Sequence, residues 1–205
     1  MTVGIGLLVA AYIIGSFPSG LIIGKLFFGK DPRQYGSHNT GATNSYRVFG
    51  KAGGSAVLLA DLCKGMIGVY LGQMAGQAAG TFPEVYGMIL GGLLAIVGHS
   101  CSVFLRFKGG KGVATGLGVI LFLAPLPTIV VFGIWAIIVA ATRLVSLGSI
   151  IGAVATPILM YVFGSPYPVI IFGILAAILV IVRHKENIVR LWQGKELEVK
   201  RLPKE

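Results

Sequence analysis

At residues 167–182 the chain reads YPVIIFGILAAILVIV, and the next residue is Arg183. An uncharged apolar stretch of this kind approaches the roughly 20 residues that a helix needs to cross a bilayer. The whole chain of 205 residues is 55% apolar and only 12% charged, with a mean hydropathy of +0.87. Since a soluble domain carries roughly 25% charged residues, these values exclude a water-soluble monomer, a disordered chain and a nucleic-acid binder. They predict an integral membrane protein.

Six further apolar runs precede this one, at residues 3–27, 53–77, 85–105, 112–125, 127–142 and 147–163. The sequence therefore predicts a single all-α membrane domain over residues 1–205, with seven transmembrane helices. No basic region precedes the first run, so we expect it to remain as a span instead of being cleaved as a signal peptide.

Two places depart from a simple span. The sequence GSFPSG at 15–20 interrupts the first run, and such a break needs other protein to satisfy the freed backbone groups. The fourth and fifth runs are short and are separated by the sequence PLP at 125–127. These two runs are either two short spans or one re-entrant hairpin.

The distribution of Lys and Arg predicts the orientation. These residues concentrate in the loops 28–52 and 106–111, at Arg143, and in the tail 183–205, where they are Arg183, Lys185, Arg190, Lys195, Lys200, Arg201 and Lys204. The alternate connections contain none, and they are 78–84, 125–127 and 164–166. By the positive-inside rule the basic segments are cytoplasmic, the N-terminus is outside and the C-terminus is cytoplasmic. Most of the net charge of +10 is thereby explained as a topology signal.

Two cytoplasmic segments offer groups that suit an anion. The sequence GSHNTGATNSYR at 36–47 is rich in hydroxyls and amides, and Arg47 adds a planar guanidinium that can grip an oxyanion. The sequence FKGGKGVATG at 107–116 places Lys108, Gly110 and Lys111 before an apolar helix, whose N-terminus attracts phosphate. Ordinary turns have the composition of the first segment, and a basic membrane-edge turn would resemble the second. Because Gly112 follows Lys111, the second segment is not a P-loop, and ATP binding is disfavoured.

The third segment is RHKEN at 183–187. His184 and Asn187 share a face if the helix continues, although cations at this position also serve as interfacial anchors. Within the spans, Asp61 and Lys64 are three residues apart and are expected to pair with each other or to help shape a site. His99 either joins such a polar network or is an ordinary buried histidine.

Several classes of enzyme are disfavoured by what the sequence lacks. Asp occurs only at positions 31 and 61, so no Asp-rich magnesium site exists, and the two cysteines lack metal-ligand spacing. The acyltransferase motif of His, four residues and Asp is also missing, because Thr43, Phe104 and Val189 stand at the required distance from the three histidines. We expect neither a metal nor a cofactor.

The order of GSHNTGATNSYR, FKGGKGVATGLG and RHKENI closely resembles the bacterial membrane family of acyl-phosphate:glycerol-3-phosphate acyltransferases (PlsY type). GSFPSG, DLCKG and the GH at residues 98–99 extend the resemblance over nearly the whole chain. Several relatives have glycine at the place of His38, so His38 is assigned no catalytic role.

The resemblance implies a reaction and a location. A fatty acyl phosphate donates its acyl chain to the sn-1 hydroxyl of glycerol 3-phosphate, and the products are lysophosphatidate and inorganic phosphate. The enzyme would lie in the bacterial cytoplasmic (inner) membrane with its active site facing the cytoplasm. A soluble enzyme that produces acyl phosphate would be a possible partner, and the residues leave that docking open.

The resemblance also implies roles for individual residues. Catalytic roles fall to Ser37, His184 and Asn187, and the phosphate-binding cations are Arg47, Lys111 and Lys108. Asn39, Thr43, Asn44 and Gly110 would line the same pocket, with Asp61, Lys64 and His99 in support. Either His184 or a substrate phosphate accepts the proton, since the ordinary pKa of histidine is about 6.5 and the second pKa of a phosphate is about 6. A phosphate transporter is the main alternative function, although the sequence has no internal repeat of the kind many transporters show.

Overall fold

The structure, a computed structural model, describes residues 2–80 and 83–200 of the chain. Its helices are α1 (Thr2–Ser16), α2 (Ser19–Phe28), α3 (Ala42–Ala79), α4 (Glu84–Ser100), α5 (Val113–Leu123), α6 (Pro125–Thr142), α7 (Val145–Val162), α8 (Tyr167–Arg183) and α9 (Lys185–Trp192). Two short 3₁₀ turns occur at Pro32–Gln34 and Val103–Leu105. All regular structure in the described ranges is helical, which confirms the all-α part of the predicted fold class; the seven spans and the orientation of the termini stay predictions.

Each of the seven predicted apolar runs falls on a helix or on a bent pair of helices. By length and composition α3, α6, α7 and the segment Glu84–Leu105, which is α4 with the 3₁₀ turn after it, could each cross a membrane. The pairs α1–α2 and α8–α9, bent by 45° and 61°, raise the number of candidate spans to six. α5 has only 11 residues, which is about 17 Å of helix, so it is too short to cross a bilayer unaided. α6, which follows directly after Ala124, has the length of a full span.

The boundaries of two cytoplasmic segments differ from the prediction. The predicted loop 28–52 is already helical from Ala42, so Arg47 lies on α3, which is kinked at Gly50 (φ 78°). The predicted tail 183–205 begins with α9, and its residues Arg201 and Lys204 lie outside the described residues. α3 begins before its apolar run, and α9 follows the last run after a bend. Both extend beyond the apolar sequence because helical structure outside the hydrocarbon layer needs no continuous apolar sequence.

The interruption of the first span is stabilised by side chains from other helices. α1 ends at Ser16 and α2 begins at Ser19. The Ser16 carbonyl accepts a hydrogen bond from the Ser102 hydroxyl. The Phe17 carbonyl accepts one from Lys64 Nζ at 3.0 Å. The break therefore meets the requirement that backbone groups freed inside a membrane find partners in the protein.

Asp61 and Lys64 form the predicted ion pair. Lys64 Nζ lies 2.8 Å from Asp61 Oδ1, and the two residues are only 5% and 2% exposed. The Ser19 hydroxyl donates to the same carboxylate oxygen at 2.8 Å. His99 Nδ1 lies 3.6 Å from that oxygen, so His99 belongs to this polar network. The cluster joins α2, α3 and α4.

Close contact between α3 and α4 depends on small residues. A Cβ atom at Gly72 would overlap the Gly87 carbonyl, and one at Gly91 would overlap the Gly68 carbonyl. Such approach of two backbones is a common way for membrane helices to gain packing contacts. An apolar core including Val69, Ile96, Val119, Met160 and Phe172 joins these helices to α5, α7 and α8.

We predict that Lys64→Ala strongly destabilises the protein, because the buried Asp61 carboxylate loses its ion-pair partner and the Phe17 carbonyl loses its donor. Breaking a buried ion pair costs about 3 kcal/mol or more. Lys51→Ala, an exposed lysine on the same helix, should change stability by less than about 0.5 kcal/mol. Thermal unfolding of the purified variants in detergent measures both effects, and similar midpoints would contradict the structural role of Lys64.

Candidate active site

One cavity of about 250 Å³ brings the three predicted segments together. Its polar part is lined by residues from each of them, namely Ser37, Asn39, Thr43, Asn44, Arg47, Lys111, His184 and Asn187. Asp61 and His99 of the buried polar cluster also border it. Segments up to 150 residues apart in the chain thus meet at one place, which is the arrangement that a shared binding site requires.

A chain of side-chain contacts fixes the orientation of Asn187. Lys111 Nζ donates to Asn187 Oδ1, and Asn187 Nδ2 donates to Glu196 Oε1 at 2.6 Å. The other oxygen of Glu196 accepts from Arg190 Nε at 2.8 Å. Since the Glu196 side chain is only 4% exposed, a buried carboxylate partly neutralises the cationic pocket.

The charge of Lys111 is sensitive to its surroundings. Burial, opposed by the negative charge of Glu196 and aided by the positive charges of Arg190 and Arg47, lowers the pKa of Lys111 to about 8. Glu186, on the same helix as Arg190, also favours the charged form. Near neutral pH Lys111 is therefore still charged, and it loses that charge in a mildly alkaline range.

His184 has a defined tautomer. Its Nδ1 lies 2.7 Å from the Val180 carbonyl, and because a carbonyl can only accept, Nδ1 carries the proton and donates. Nε2 is left as the acceptor nitrogen of the ring. Burial lowers the pKa of His184 to about 4, against the effect of the Val180 hydrogen bond. The ring is therefore neutral at pH 7, with a lone pair available on Nε2.

Arg47 connects the pocket to the end of the chain. Its Nε donates to the Glu198 carbonyl at 3.0 Å and its Nη2 to the Leu197 carbonyl at 2.7 Å. The next residue, Val199, donates its N–H to the Arg143 carbonyl between α6 and α7. Segment 196–199 therefore folds back across the polar end of the cavity, and part of the Arg47 guanidinium remains for other acceptors.

Asn44 organises the first segment from within. Its Oδ1 accepts from the Ser37 N–H at 2.8 Å. Its Nδ2 lies within hydrogen-bond distance of three loop carbonyls, those of Pro32, Tyr35 and Asn39. Although Asn44 borders the cavity as predicted, its amide is occupied by the loop, so it positions Ser37 instead of being free for a ligand.

The second segment contributes Lys111 but not Lys108. Lys108 is exposed and does not border the cavity, so the structure does not bring this predicted second cation to the site. Gly110 lies outside the lining as well. Its N–H donates to the His99 carbonyl at 3.0 Å and its carbonyl accepts from Arg183 at 2.8 Å. These contacts of Gly110 and Arg183 hold the loop at residues 107–112, the glycine loop, in place.

Beyond these polar groups the cavity is apolar. Its walls come from α5, α6, α7 and α8 and include Leu117, Ile120, Val131, Phe132, Trp135 and Ala176. Phe132 and Trp135 stack with their ring centroids 5.4 Å apart. A pocket with cations at one end and an apolar corridor at the other suits a ligand that has an anionic head and a long apolar tail.

Sequence analysis missed Glu196 and the backbone carbonyls that hold Arg47. Glutamates scattered in a basic tail have the composition of a solvated segment, and backbone acceptors leave no signature in sequence. Among the described residues, no three of His, Cys, Asp or Glu come together as metal ligands would.

Comparison with known proteins supports a single family. The family model described as "Glycerol-3-phosphate acyltransferase" matches residues 5–194. A protein of that name from Staphylococcus carnosus is 44% identical, with 95% of this chain and 96% of the relative covered. A glycerol-3-phosphate acyltransferase 2 from Moorella thermoacetica is 46% identical over 92% of this chain and 94% of the relative.

Two solved structures have the same fold. Both are crystal structures of PlsY (YgiH), an integral membrane glycerol 3-phosphate acyltransferase, in its glycerol 3-phosphate and lysophosphatidic acid forms. The first is 38% identical with a TM-score of 0.86, and the second is 36% identical with a TM-score of 0.83. In each case 95% of this chain and 94% of the solved chain are covered.

We predict that Gly110→Ala disturbs the glycine loop, since a Cβ atom there would overlap the His99 imidazole at Nε2. His99 is buried beside Asp61 and cannot move freely, so the melting temperature in detergent should fall and the loop should become sensitive to protease. Gly133→Ala, whose Cβ would meet nothing within 4 Å, is the matched control. A Gly110→Ala protein with unchanged melting temperature and protease resistance would show that the loop adapts.

Proposed function

The chain belongs to the glycerol-3-phosphate acyltransferase family, and we propose that it transfers a fatty acyl group from an acyl phosphate to the sn-1 hydroxyl of glycerol 3-phosphate. The hydroxyl oxygen forms a bond to the acyl carbonyl carbon, and the bond from that carbon to the phosphate oxygen breaks. The products are lysophosphatidate and inorganic phosphate. Related proteins crystallised in glycerol 3-phosphate and lysophosphatidic acid forms support this acceptor and this product.

The observation that carries the proposal is the shape and charge of the cavity that the three segments share. Lys111 and Arg47 supply cations where phosphate groups of both substrates must bind, and the apolar corridor between α5 and α8 continues from them. An acyl phosphate has this same division between an anionic head and an apolar tail. It is also an activated anhydride, so positioning and charge stabilisation are sufficient and no covalent enzyme intermediate is needed.

We assign the proton of the acceptor hydroxyl to the departing phosphate. The second pKa of a phosphate monoester is about 6, whereas burial lowers the pKa of His184 to about 4, so phosphate is the stronger base. Nε2 of His184 would accept a hydrogen bond from the neighbouring sn-2 hydroxyl and so orient glycerol 3-phosphate, which leaves the single proton of the sn-1 hydroxyl for the phosphate. Asn187, held between Lys111 and Glu196, and Ser37, held by Asn44, would orient the two substrates around this point.

We further propose the membrane arrangement that the charges predict. The basic segments that meet at the cavity would face the cytoplasm, with the N-terminus outside, in the bacterial inner membrane. Both substrates would then reach the cavity without crossing the membrane, glycerol 3-phosphate from the cytoplasm and the acyl chain from the lipid phase.

The test is phosphate release from palmitoyl phosphate by the detergent-purified protein, with and without glycerol 3-phosphate. We expect release that depends on the acceptor, and we expect palmitoyl-CoA to be inactive as a donor. Activity with palmitoyl-CoA would overturn the donor assignment. Uptake of glycerol 3-phosphate into proteoliposomes without product formation would overturn the transferase in favour of a transporter.

The pKa of Lys111 predicts how substrate affinity depends on pH. Its ammonium form, which binds phosphate, predominates below about pH 8 and is lost above it. The KM for glycerol 3-phosphate should therefore rise roughly tenfold between pH 7 and pH 9, as the charged fraction falls. Lys111→Arg stays charged throughout this range, so its KM should be nearly independent of pH even if its activity is lower. A wild-type KM that does not change over this interval would contradict the assignment of Lys111.

A further inference from the structure

The N-terminal turn of α7 borders the cavity, and neither the family motifs nor the roles proposed above use it. Val145 and Ser146 line the cavity there, followed on the same face by Ser149, Gly152, Ala153 and Thr156. Residue Leu144, which precedes the helix, provides no side-chain cap for its first N–H groups. A helix start of this kind carries partial positive charge and free donors.

The Ser146 hydroxyl lacks a partner within the described structure. Ser146 is only 7% exposed, and its Oγ is buried without a hydrogen bond. Ser146 stands at the second helical position, so it does not cap the helix as a serine one or two residues earlier could. Leaving a buried hydroxyl unpaired costs free energy, and a ligand oxygen in the cavity would supply the missing partner.

The first turn of α7 is connected to Arg47, at the cationic end of the cavity, through residues 197–199. The Arg143 carbonyl, just before α7, accepts from the Val199 N–H, and the adjoining Leu197 and Glu198 carbonyls accept from Arg47. The start of α7 and the Arg47 guanidinium are thus held by the same short segment of chain. A phosphoryl group beside Ser146 would therefore lie near the end of the cavity that carries the cations.

The face of α7 that follows Ser146 matches the substrate with a long chain. From Ser146 to Thr156 this face extends for about 15 Å along the apolar corridor. The Thr156 hydroxyl donates to the Gly152 carbonyl within the helix, so it adds no free polar group at the far end. Of the two substrates, only the acyl phosphate has a phosphoryl group joined to a chain that could lie along this face.

We propose that the N-terminal turn of α7, with the Ser146 hydroxyl as donor, binds the phosphoryl group of the acyl phosphate, while Lys111 and Asn187 serve glycerol 3-phosphate. This inference rests on the proposed function and divides the cavity into two subsites. Ser146 is then a binding residue for the donor and takes no part in proton transfer.

Steady-state kinetics with each substrate varied in turn test the division. Ser146→Ala should raise the KM for palmitoyl phosphate roughly tenfold and leave the KM for glycerol 3-phosphate unchanged, because one hydrogen bond to a charged oxygen is lost. Ser146→Thr keeps the hydroxyl and should remain close to wild type. Ser16→Ala is the matched control, since Ser16 Oγ is also buried and unpartnered but does not line this cavity.

The outcomes are distinct. An unchanged KM for palmitoyl phosphate in Ser146→Ala, or a rise confined to glycerol 3-phosphate, would overturn the inference. Ligand-induced stabilisation provides a readout that does not depend on turnover. Palmitoyl phosphate should raise the melting temperature of the wild type more than palmitate does, and Ser146→Ala should lose that difference. If the wild type shows this difference but no acceptor-dependent release of phosphate, the proposed function fails while the phosphoryl site stands.

Discussion

A backbone carbonyl inside a bilayer must find a hydrogen-bond donor within the protein. The break after Ser16 frees the Ser16 and Phe17 carbonyls, and the rest of the site depends on how they are satisfied. Lys64 donates to the Phe17 carbonyl and is itself charge-balanced by Asp61. His99 approaches Asp61, and the His99 carbonyl accepts the Gly110 N–H. The contacts of Lys64, Asp61 and His99 that stabilise the break between α1 and α2 therefore also hold the glycine loop, which contains Lys111.

Arg183 extends this set of contacts to the third segment. Its guanidinium donates to the carbonyls of Ser100, Gly109 and Gly110, which places the adjacent His184 beside the glycine loop. The cations of the site thus have two different tasks. Arg183 and Lys64 satisfy backbone carbonyls and build the site, while Lys111 and part of Arg47 remain directed at the cavity. The charges of these four residues do not distinguish the cations that bind backbone carbonyls from those directed at the cavity, since all four are buried or half-buried.

Glu196 has a comparable effect on the polar end of the cavity. An amide such as Asn187 can rotate to exchange its oxygen and nitrogen, but here Lys111 can only donate and Glu196 can only accept. The orientation of Asn187 is therefore determined by its neighbours. Because the carboxylate also offsets the charges of Arg190 and Lys111, the pocket can hold several cations close together before a phosphate arrives.

The sequence predicted the features that have a strong local signature. Apolar length located the helices, the GSFPSG stretch located the break, and three-residue spacing located the pair of Asp61 and Lys64. Lys108 was predicted as a second cation at the site, but the structure leaves it exposed and outside the cavity. Two lysines in one glycine loop look alike in sequence, and only the fold of the loop shows that Lys111 borders the cavity. The start of α3 was missed for a related reason, since a helix that emerges from the membrane no longer needs apolar residues.

Contacts between distant segments were beyond what sequence could predict. Arg47 meets the carbonyls of residues about 150 positions away, and no spacing rule connects them. Asn44 was expected among ligand-binding groups because amides suit that role, but loop carbonyls can use the same donors. A polar side chain near a site binds either the ligand or the loop that shapes the site, and residue type does not distinguish the two.

The length of α5 limits how the segment that carries Lys111 can be placed in a membrane protein. A helix of about 17 Å cannot match a hydrocarbon layer of roughly 30 Å, so one of its ends must lie within the membrane's thickness or the bilayer must thin around it. A Cβ atom at Gly112, just before α5, would lie 3.1 Å from both Ile96 and Ser100 in the last turns of α4. The loop that ends at Gly112 is therefore packed against the C-terminal turn of α4. Lys111 is thereby held at the polar end of the cavity, and the carbonyls of His99 and Ser100 accept hydrogen bonds from the loop N–H groups of Gly110 and Gly109.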